Sequence, residues 1–124
     1  MITRLEDFHA YNRAMKLGQE IWRIAKEWDN FSKWTVGIQL VKAADSVSAN
    51  LSEGLGRFFV KEIRQFGFYS RGSLFETKTW LQKATERDLI DPEKFNNLIS
   101  ELEVIGKMIN AYINSLGSGF KDTD

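Results

Sequence analysis

The sequence predicts an all-α fold, an up-down-up-down antiparallel four-helix bundle. Apolar residues recur at intervals of three and four through four long segments, which is the spacing of amphipathic helices. Short links rich in turn-forming residues separate these segments, and such links join antiparallel neighbours in bundles. The 124 residues contain one proline and no run of strand-like alternation. We expect one domain over residues 1–124, with helices at about 4–28, 33–53, 60–87 and 92–116 and a polar tail at 118–124.

The first helix is expected to begin at Thr3, whose hydroxyl can form a capping box with Glu6. Turn-forming residues follow the helix, and Ser32 is the expected N-cap of the second one. The predicted core face of the first helix steps by three and four residues through Phe8, Tyr11, Met15, Gly18, Trp22 and Ala25, and Ala14, Ile21 and Trp28 widen it.

Two adjacent stripes run along the second predicted helix. One is an ordinary core seam of Leu40, Ala44, Val47 and Leu51. The other has heptad spacing and small or polar side chains, so another backbone can approach it closely, and we expect it at an assembly interface. This second stripe consists of Gln39, Ala43, Ser46, Asn50 and Glu53. Gly54 and Gly56 are expected to end the helix, because glycine adopts the left-handed conformation without strain.

The fourth helix has the clearest start in the chain. Asp91 supplies an N-cap acceptor, Pro92 stands where no backbone donor is needed, and Glu93 lies near the positive end of the helix dipole. Gly117 is expected to stop this helix. The third helix, before it, has a predicted core seam of Ile63, Phe66, Ser70, Ser73, Thr77, Trp80, Leu81 and Ala84.

A cluster of polar residues is predicted to tie the end of the second helix to the third. Buried polar groups need hydrogen-bond partners and help to fix the register of neighbouring helices. The predicted structural cluster is Gln39, Ser46, Asn50, Glu53, Ser73 and Glu76. Two carboxylates from adjacent helices raise the alternative of a metal site, but di-iron bundles need Glu-x-x-His partners, and His9 is the one histidine. We therefore expect no metal and no cofactor.

No arrangement of residues predicts catalysis. Ser46, Ser48 and Ser73 have no histidine to activate them. The segment Gly54-Leu55-Gly56-Arg57 superficially suggests a phosphate loop, but it follows a helix rather than a strand and lacks the remaining glycine and lysine. We expect a protein that is not an enzyme.

Cations alternate with aromatic rings along one face of the third helix. One hypothesis is a nucleic-acid surface, with cations on phosphates and rings stacked on unpaired bases. The alternative is a subunit interface or a solvated face in which long side chains cover the phenylalanines. We call this face the basic-aromatic strip, and it comprises Arg57, Lys61, Arg64, Phe68, Arg71, Phe75 and Lys78. Lys107 on the fourth helix and Lys121 in the tail are expected to contribute little.

Charge and composition narrow the expected compartment and partners. Basic and acidic residues balance at 17 each, but residues 1–78 carry 12 Lys and Arg against 9 Asp and Glu. An anionic partner is therefore expected to prefer that part of the chain. Charges interrupt every apolar stretch before the ~18 residues that a membrane span requires. Because cysteine is absent as well, we expect a cytoplasmic protein without membrane contact.

Two short motifs resemble those of a known bacterial family. Asn50-x-x-Glu53-Gly54 is followed by Gly72-Ser73-Leu74-x-Glu76, and Gln39, Ala43, Ala44, Ser46 and Arg57 accompany them. This pattern resembles the four-helix-bundle proteins encoded in intervening sequences of 23S ribosomal RNA genes. The likeness covers nearly the whole chain. At fold level the chain is also similar to the accessory variability protein of diversity-generating retroelements.

The first resemblance implies a cytosolic bundle that assembles into a ring-like homopentamer without an established enzymatic activity. The second implies binding to nucleic acid and work beside a reverse transcriptase. From these we expect a non-enzymatic homo-oligomeric scaffold or adaptor whose partners are other copies of itself, RNA or DNA, and a reverse transcriptase or other protein. The alternative is a protein–protein interaction module that binds no nucleic acid.

Overall fold

Four long helices pack side by side in residues 2–121, the part of the chain that the computed structural model describes, with side chains described through residue 117. No strand occurs within residues 2–121, which confirms the all-α prediction. A 3₁₀ turn at Leu5–Asp7 precedes the first helix. The helices are α1, His9–Ala25; α2, formed by Asn30–Ser32, a π-helical turn at Lys33–Gly37 and Ile38–Leu55; α3, Val60–Glu86; and α4, Pro92–Lys121.

Neighbours along the chain are neighbours in space, as the predicted bundle requires. α1 packs on α2, α2 on α3 and α3 on α4, and α4 returns to α1. The four helices surround one apolar core. Its largest fully buried side chains come mainly from α2, α3 and α4: Leu40, Leu51, Leu74, Leu81, Leu98, Leu102, Ile105 and Ile109.

The start of α1 differs from the prediction. The helix begins at His9 rather than near Thr3, because Phe8 has an extended backbone with φ −92° and ψ 91°. The Phe8 side chain is fully buried, and its ring centroid lies 4.6 Å from that of Tyr112 on α4. Burying an aromatic side chain is worth more than the ~1 kcal/mol of a capping box. The packing of Phe8 therefore decides where the helix begins.

The core face of α1 is also rotated from the predicted one. Met15 and Trp22 are 40% and 50% exposed, whereas Leu17, which was not assigned to the core face, is buried; Ala14 and Ile21 are buried as predicted. Apolar residues occupy more than half of the circumference of α1, so periodicity alone leaves several orientations open. The bundle buries the side with smaller residues, and larger apolar side chains remain on the surface.

Asp29, and not Ser32, caps α2. The Asp29 carboxylate accepts a hydrogen bond of 3.1 Å from the backbone N–H of Ser32, which itself has helical dihedrals. The Asp91 cap of α4 is confirmed, since its carboxylate accepts a 2.8 Å bond from the N–H of Lys94. Both are Asx caps three residues before their donor.

The expected end of α2 is confirmed, since the helix ends at Leu55 and Gly56 is its C-cap, although with φ −78° rather than in the left-handed conformation. Gly54 and Gly117 allow close packing between helices. No glycine among the described residues has a positive φ. A Cβ at Gly54 would lie 2.7 Å from Cβ of Phe66, so Gly54 lets α3 approach α2. At Gly117 a Cβ would lie 2.6 Å from Nη1 of Arg64, and α4 continues through this position to Lys121. The expected helix stop at Gly117 and the expected tail from residue 118 are therefore wrong; residues 122–124 lie outside the described residues.

The small-residue stripe of α2 faces α3 of the same chain. Ala43 is buried, Asn50 and Ser46 are half-buried, and Asn50 Nδ2 donates a 3.4 Å hydrogen bond to Oγ of Ser73 on α3. A close backbone approach was the correct expectation. The helix that approaches Asn50 belongs to the same chain, whereas Gln39 and Glu53 of the stripe are exposed, and a place for the stripe at an assembly interface stays a prediction.

Candidate nucleic-acid interface

The basic-aromatic strip contains a ladder of cation–ring contacts along α3, in two groups around Phe68 and Phe75. The guanidinium carbon of Arg64 lies 5.3 Å from the ring centroid of Phe68, and that of Arg71 lies 5.4 Å from the ring of Phe75. Nζ of Lys78 lies 5.0 Å from the centroid of the same Phe75 ring. Residues four apart face each other on a helix, so the sequence spacing produces these contacts directly. Phe68 and Phe75 remain 43% and 52% exposed, which leaves ring surface open to a ligand.

Arg64 has a structural role that its sequence position did not reveal. It is half-buried, and its Nη1 donates a 2.8 Å hydrogen bond to the backbone carbonyl of Ile113 on α4. The guanidinium occupies the space that Gly117 leaves free. Arg64 therefore ties α3 to α4 about two turns before the end of α4.

A small groove between α3 and α4 continues the strip. It has a volume of about 100 Å³, and Arg71, Phe75 and Lys78 line its α3 side. Lys107 and Asn110 line the α4 side. Lys107 therefore adds a third cation to the groove, and the expectation that it contributes little to binding stays a prediction.

One carboxylate partly neutralises this groove. Glu103 accepts a 2.9 Å hydrogen bond from Nζ of Lys78. That bond, together with the positive charges of Lys78 and Lys107, holds the pKa of the Glu103 carboxyl below its usual range. Glu103 is consequently ionised at neutral pH and competes with any anionic ligand for Lys78.

The remaining two cations of the strip lie near the start of α3. Arg57 precedes the helix, pairs with Glu53 at 3.4 Å and places its guanidinium carbon 4.8 Å from the Phe66 ring centroid. Lys61 is exposed, and no ion pair among residues 2–117 involves it. The structure thus brings all seven predicted residues to α3 and its entrance, with Arg57, Arg64 and Lys78 already bound to groups of the same chain.

Comparison with known proteins identifies the family. Residues 6–111 match the family model described as 23S rRNA-intervening sequence protein. The chain belongs to the 23S rRNA-intervening sequence protein family. No curated protein matches the chain.

In this member of the intervening-sequence family, the predicted polar cluster is only partly assembled. Asn50 Nδ2 donates to Ser73 Oγ at 3.4 Å and to the Ser46 carbonyl at 2.9 Å. Glu53 pairs with Arg57 instead, and Glu76 accepts a 3.2 Å bond from Trp80 Nε1. The predicted link between α2 and α3 through Glu53 and Glu76 is therefore wrong. Both carboxylates are exposed and bond to a residue four positions further along the chain, and Gln39 is exposed as well.

A buried serine makes the stronger link between α2 and α3. Ser70 is fully buried, and its Oγ donates a 2.7 Å hydrogen bond to the backbone carbonyl of Val47. Ser70 was predicted as a member of the α3 core seam, and a hydroxyl on an apolar seam was the signal that could have identified it as this link.

The described side chains hold no evident metal site. Within residues 2–117, no three His, Cys, Asp or Glu side chains come close enough together to hold a metal ion. His9 is exposed at the start of α1. No helix in the described part of the chain combines the length and apolar character needed to cross a bilayer. The absence of metal, cofactor and catalysis stays a prediction.

Proposed function

We propose that this protein is a cytoplasmic, non-enzymatic, homo-oligomeric scaffold or adaptor whose assembled surface binds single-stranded RNA or DNA through the basic-aromatic strip. The observation that supports this function is the ladder in which cations flank the half-exposed rings of Phe68 and Phe75. The cations contact phosphates and the rings stack on unpaired bases. Stacking of this kind contributes about 1–3 kcal/mol per base and tolerates any sequence.

In an oligomer, nucleic-acid contacts that are weak on each subunit are sufficient for binding. The family resemblance favours five subunits in a closed ring, which repeats the strip at each subunit. Contacts made by successive subunits on one strand then add through a high effective concentration. Glu103 and other acidic residues weaken the attraction of each subunit for a polyanion without removing it. Several such subunits together can therefore bind a polyanion even though the chain has no net charge.

A second candidate function is a protein-binding module without affinity for nucleic acid. Phe58 and Phe59, just before α3, are 89% and 62% exposed, and Tyr69 is exposed on α3 itself. Exposed apolar surface of this kind marks protein interfaces. In this alternative the strip contacts another subunit, or a partner such as a reverse transcriptase, and the arginines serve to cover the rings.

Charge reversal within the strip distinguishes the two functions. The variant Lys61→Glu/Arg71→Glu avoids Arg64, whose loss would loosen α4. Its matched control is Lys16→Glu/Arg23→Glu, which makes the same charge change at exposed positions of α1. We expect wild type and control to bind a fluorescein-labelled 20-nucleotide oligo(dT) at 50 mM salt, measured by fluorescence anisotropy, and the strip variant to lose at least tenfold in affinity. Each lost phosphate contact should also reduce the slope of log K against log salt by about 0.7.

A gain-of-binding variant makes the test independent of unfolding. Glu103→Gln removes the carboxylate that holds Lys78, so we expect tighter oligonucleotide binding and a steeper salt dependence. Light scattering accompanies each measurement, and a monomer mass for the wild type at micromolar concentration contradicts the proposed oligomer. If Lys61→Glu/Arg71→Glu lowers the mass of the oligomer, the strip is a subunit contact. If the wild type binds no oligonucleotide even at 50 mM salt, the protein-binding module replaces the nucleic-acid scaffold.

A further inference from the structure

An apolar groove lies between the last turns of α1 and the first turns of α2, away from the basic-aromatic strip. It has a volume of about 300 Å³, at the lower end for ligand pockets. Trp22, Ile38 and Val41 provide its larger apolar side chains, and Ala25 and Gly37 complete the apolar lining. Trp22 is half exposed because α1 turns its side with smaller residues toward the core.

The π-helical turn of α2 shapes this groove. Gly37, its last residue, is buried, and a Cβ there would lie 3.3 Å from the carbonyl oxygen of Ser32 and 3.6 Å from Cε3 of Trp28. The absence of a side chain therefore lets the wider turn pack directly on the end of α1. π-helical turns are rare and frequently occur at functional sites.

Three lysines surround the apolar lining. Lys26 follows Trp22 on α1, with Nζ 4.9 Å from the indole centroid, and Lys33 and Lys42 belong to α2. No acidic residue lines the groove, and none of these lysines takes part in an ion pair among residues 2–117. By contrast, Lys78 and Lys94 both have carboxylate partners within that part of the chain. The groove therefore combines an apolar floor with uncompensated positive charge.

The apolar surface extends beyond the groove. Phe31 and Trp34, in the first turns of α2, are 78% and 67% exposed, and Trp34 precedes Ile38 by one helical turn. Aromatic residues are enriched in the energetically dominant parts of protein interfaces. A partner longer than the groove itself would cover these rings.

We propose that this groove binds an acidic amphipathic helix of a partner protein. Large apolar side chains at i, i+3, i+4 and i+7 of that helix enter the groove between Trp22 and Ile38, and flanking carboxylates pair with Lys26, Lys33 and Lys42. From Lys33 to Lys42 the α2 backbone rises about 13 Å, which is longer than the roughly 10 Å that an i to i+7 anchor set covers and leaves room for flanking carboxylates. The charge complementarity of an apolar groove with lysines at its edge argues for this occupant. The inference is independent of the proposed nucleic-acid function, because none of these residues belongs to the strip.

The test uses two synthetic peptides on the full-length protein. One is a fluorescein-labelled 16-residue helix with leucines at i, i+3, i+4 and i+7 and glutamates beside them; the other has lysine in place of each glutamate. We expect the wild type to bind the glutamate peptide at least tenfold more tightly at 50 mM salt, measured by fluorescence anisotropy. The variant Lys33→Glu/Lys42→Glu should invert that preference, whereas the control Arg4→Glu/Lys16→Glu, with the same charge change at exposed positions outside the groove, should keep it.

Inversion of preference separates a lost contact from lost folding, since an unfolded variant binds neither peptide selectively. Lys26→Glu/Lys42→Glu, which leaves the π-helical turn intact, gives the same inversion if the proposal is right. An unchanged preference in both groove variants overturns it. Cosedimentation with phosphatidylserine vesicles but no peptide binding makes the occupant a membrane surface. A lower oligomer mass for the groove variants in light scattering makes it a second copy of this chain, and either result also overturns the proposal.

Discussion

Replacing Gly54 by alanine is expected to destabilise the protein, whereas the same replacement at Gly72 is expected to stabilise it. Both glycines lie within helices and neither has a positive φ. A Cβ at Gly54 would lie 2.7 Å from Cβ of Phe66 and 3.2 Å from the carbonyl oxygen of Ile63. At Gly72 a Cβ would meet nothing within 4 Å. The two substitutions therefore add the same methyl group, at Gly54 in a crowded environment and at Gly72 in an open one.

The expected magnitudes follow from helix propensity and from packing. Alanine is favoured over glycine in a helix interior by about 1 kcal/mol, and the open site at Gly72 should show all of this gain. At Gly54 the crowding atoms belong to the α3 backbone and to a Cβ bound to it, so no side-chain rotation relieves the contact. Separating α2 from α3 carries an overpacking cost of about 1–3 kcal/mol. The free energies of unfolding should thus differ by about 2 kcal/mol between the two variants.

Urea denaturation followed by circular dichroism measures this difference. The protein concentration is kept equal for all variants, because oligomer stability depends on it. A difference of about 2 kcal/mol should also separate the two thermal midpoints by about 6–10 °C. If Gly54→Ala stabilises the protein as much as Gly72→Ala does, α3 does not approach α2 at Gly54 as closely as the structure indicates.

Two further predictions concern side chains at helix contacts. Arg64→Met should reduce the cost of Gly117→Ala by about 1 kcal/mol or more, because the guanidinium no longer occupies the Cβ position; additive effects in this double-mutant cycle would contradict the contact. Asp45, whose Oδ1 lies 3.0 Å from where a Cβ at Gly18 would stand, has a pKa raised by burial. Because the folded-state pKa lies above the unfolded value of 3.8, the charged form opposes folding at neutral pH. Asp45→Asn should therefore stabilise the protein at pH 7, with the gain disappearing below pH 3.8, and a gain independent of pH would argue against desolvation of the Asp45 carboxylate.

Features that depend on neighbours along the chain were predicted well. The fold class, the span of α3 and the Asp91 cap of α4 follow from residue spacing and from side chains that bond their own backbone. The cation–ring ladder belongs to the same class, since Arg64 and Phe68, like Arg71 and Phe75, are four residues apart. These contacts form wherever the helix forms.

Features that depend on a second helix were predicted poorly. Glycine at position 117 indicated a helix stop, yet it accommodates a guanidinium from α3. The same spacing that identified α1 as amphipathic could not say which of its apolar sides enters the core, so the exposure of Trp22 and the groove beside it were not foreseen.

The sequence by itself determined that the chain forms four helices, where α3 and α4 start, and which cations and rings share one face of α3. Only the tertiary structure decided that Arg64 anchors α4, that Lys107 joins Arg71 in one groove, and that Lys26 and Lys33 stand beside an apolar groove. The physical reason is the separation along the chain of the residues that interact. Helix periodicity and capping are satisfied within about four residues, whereas the rotation and separation of packed helices are set by side chains up to a hundred residues apart that must fill one core.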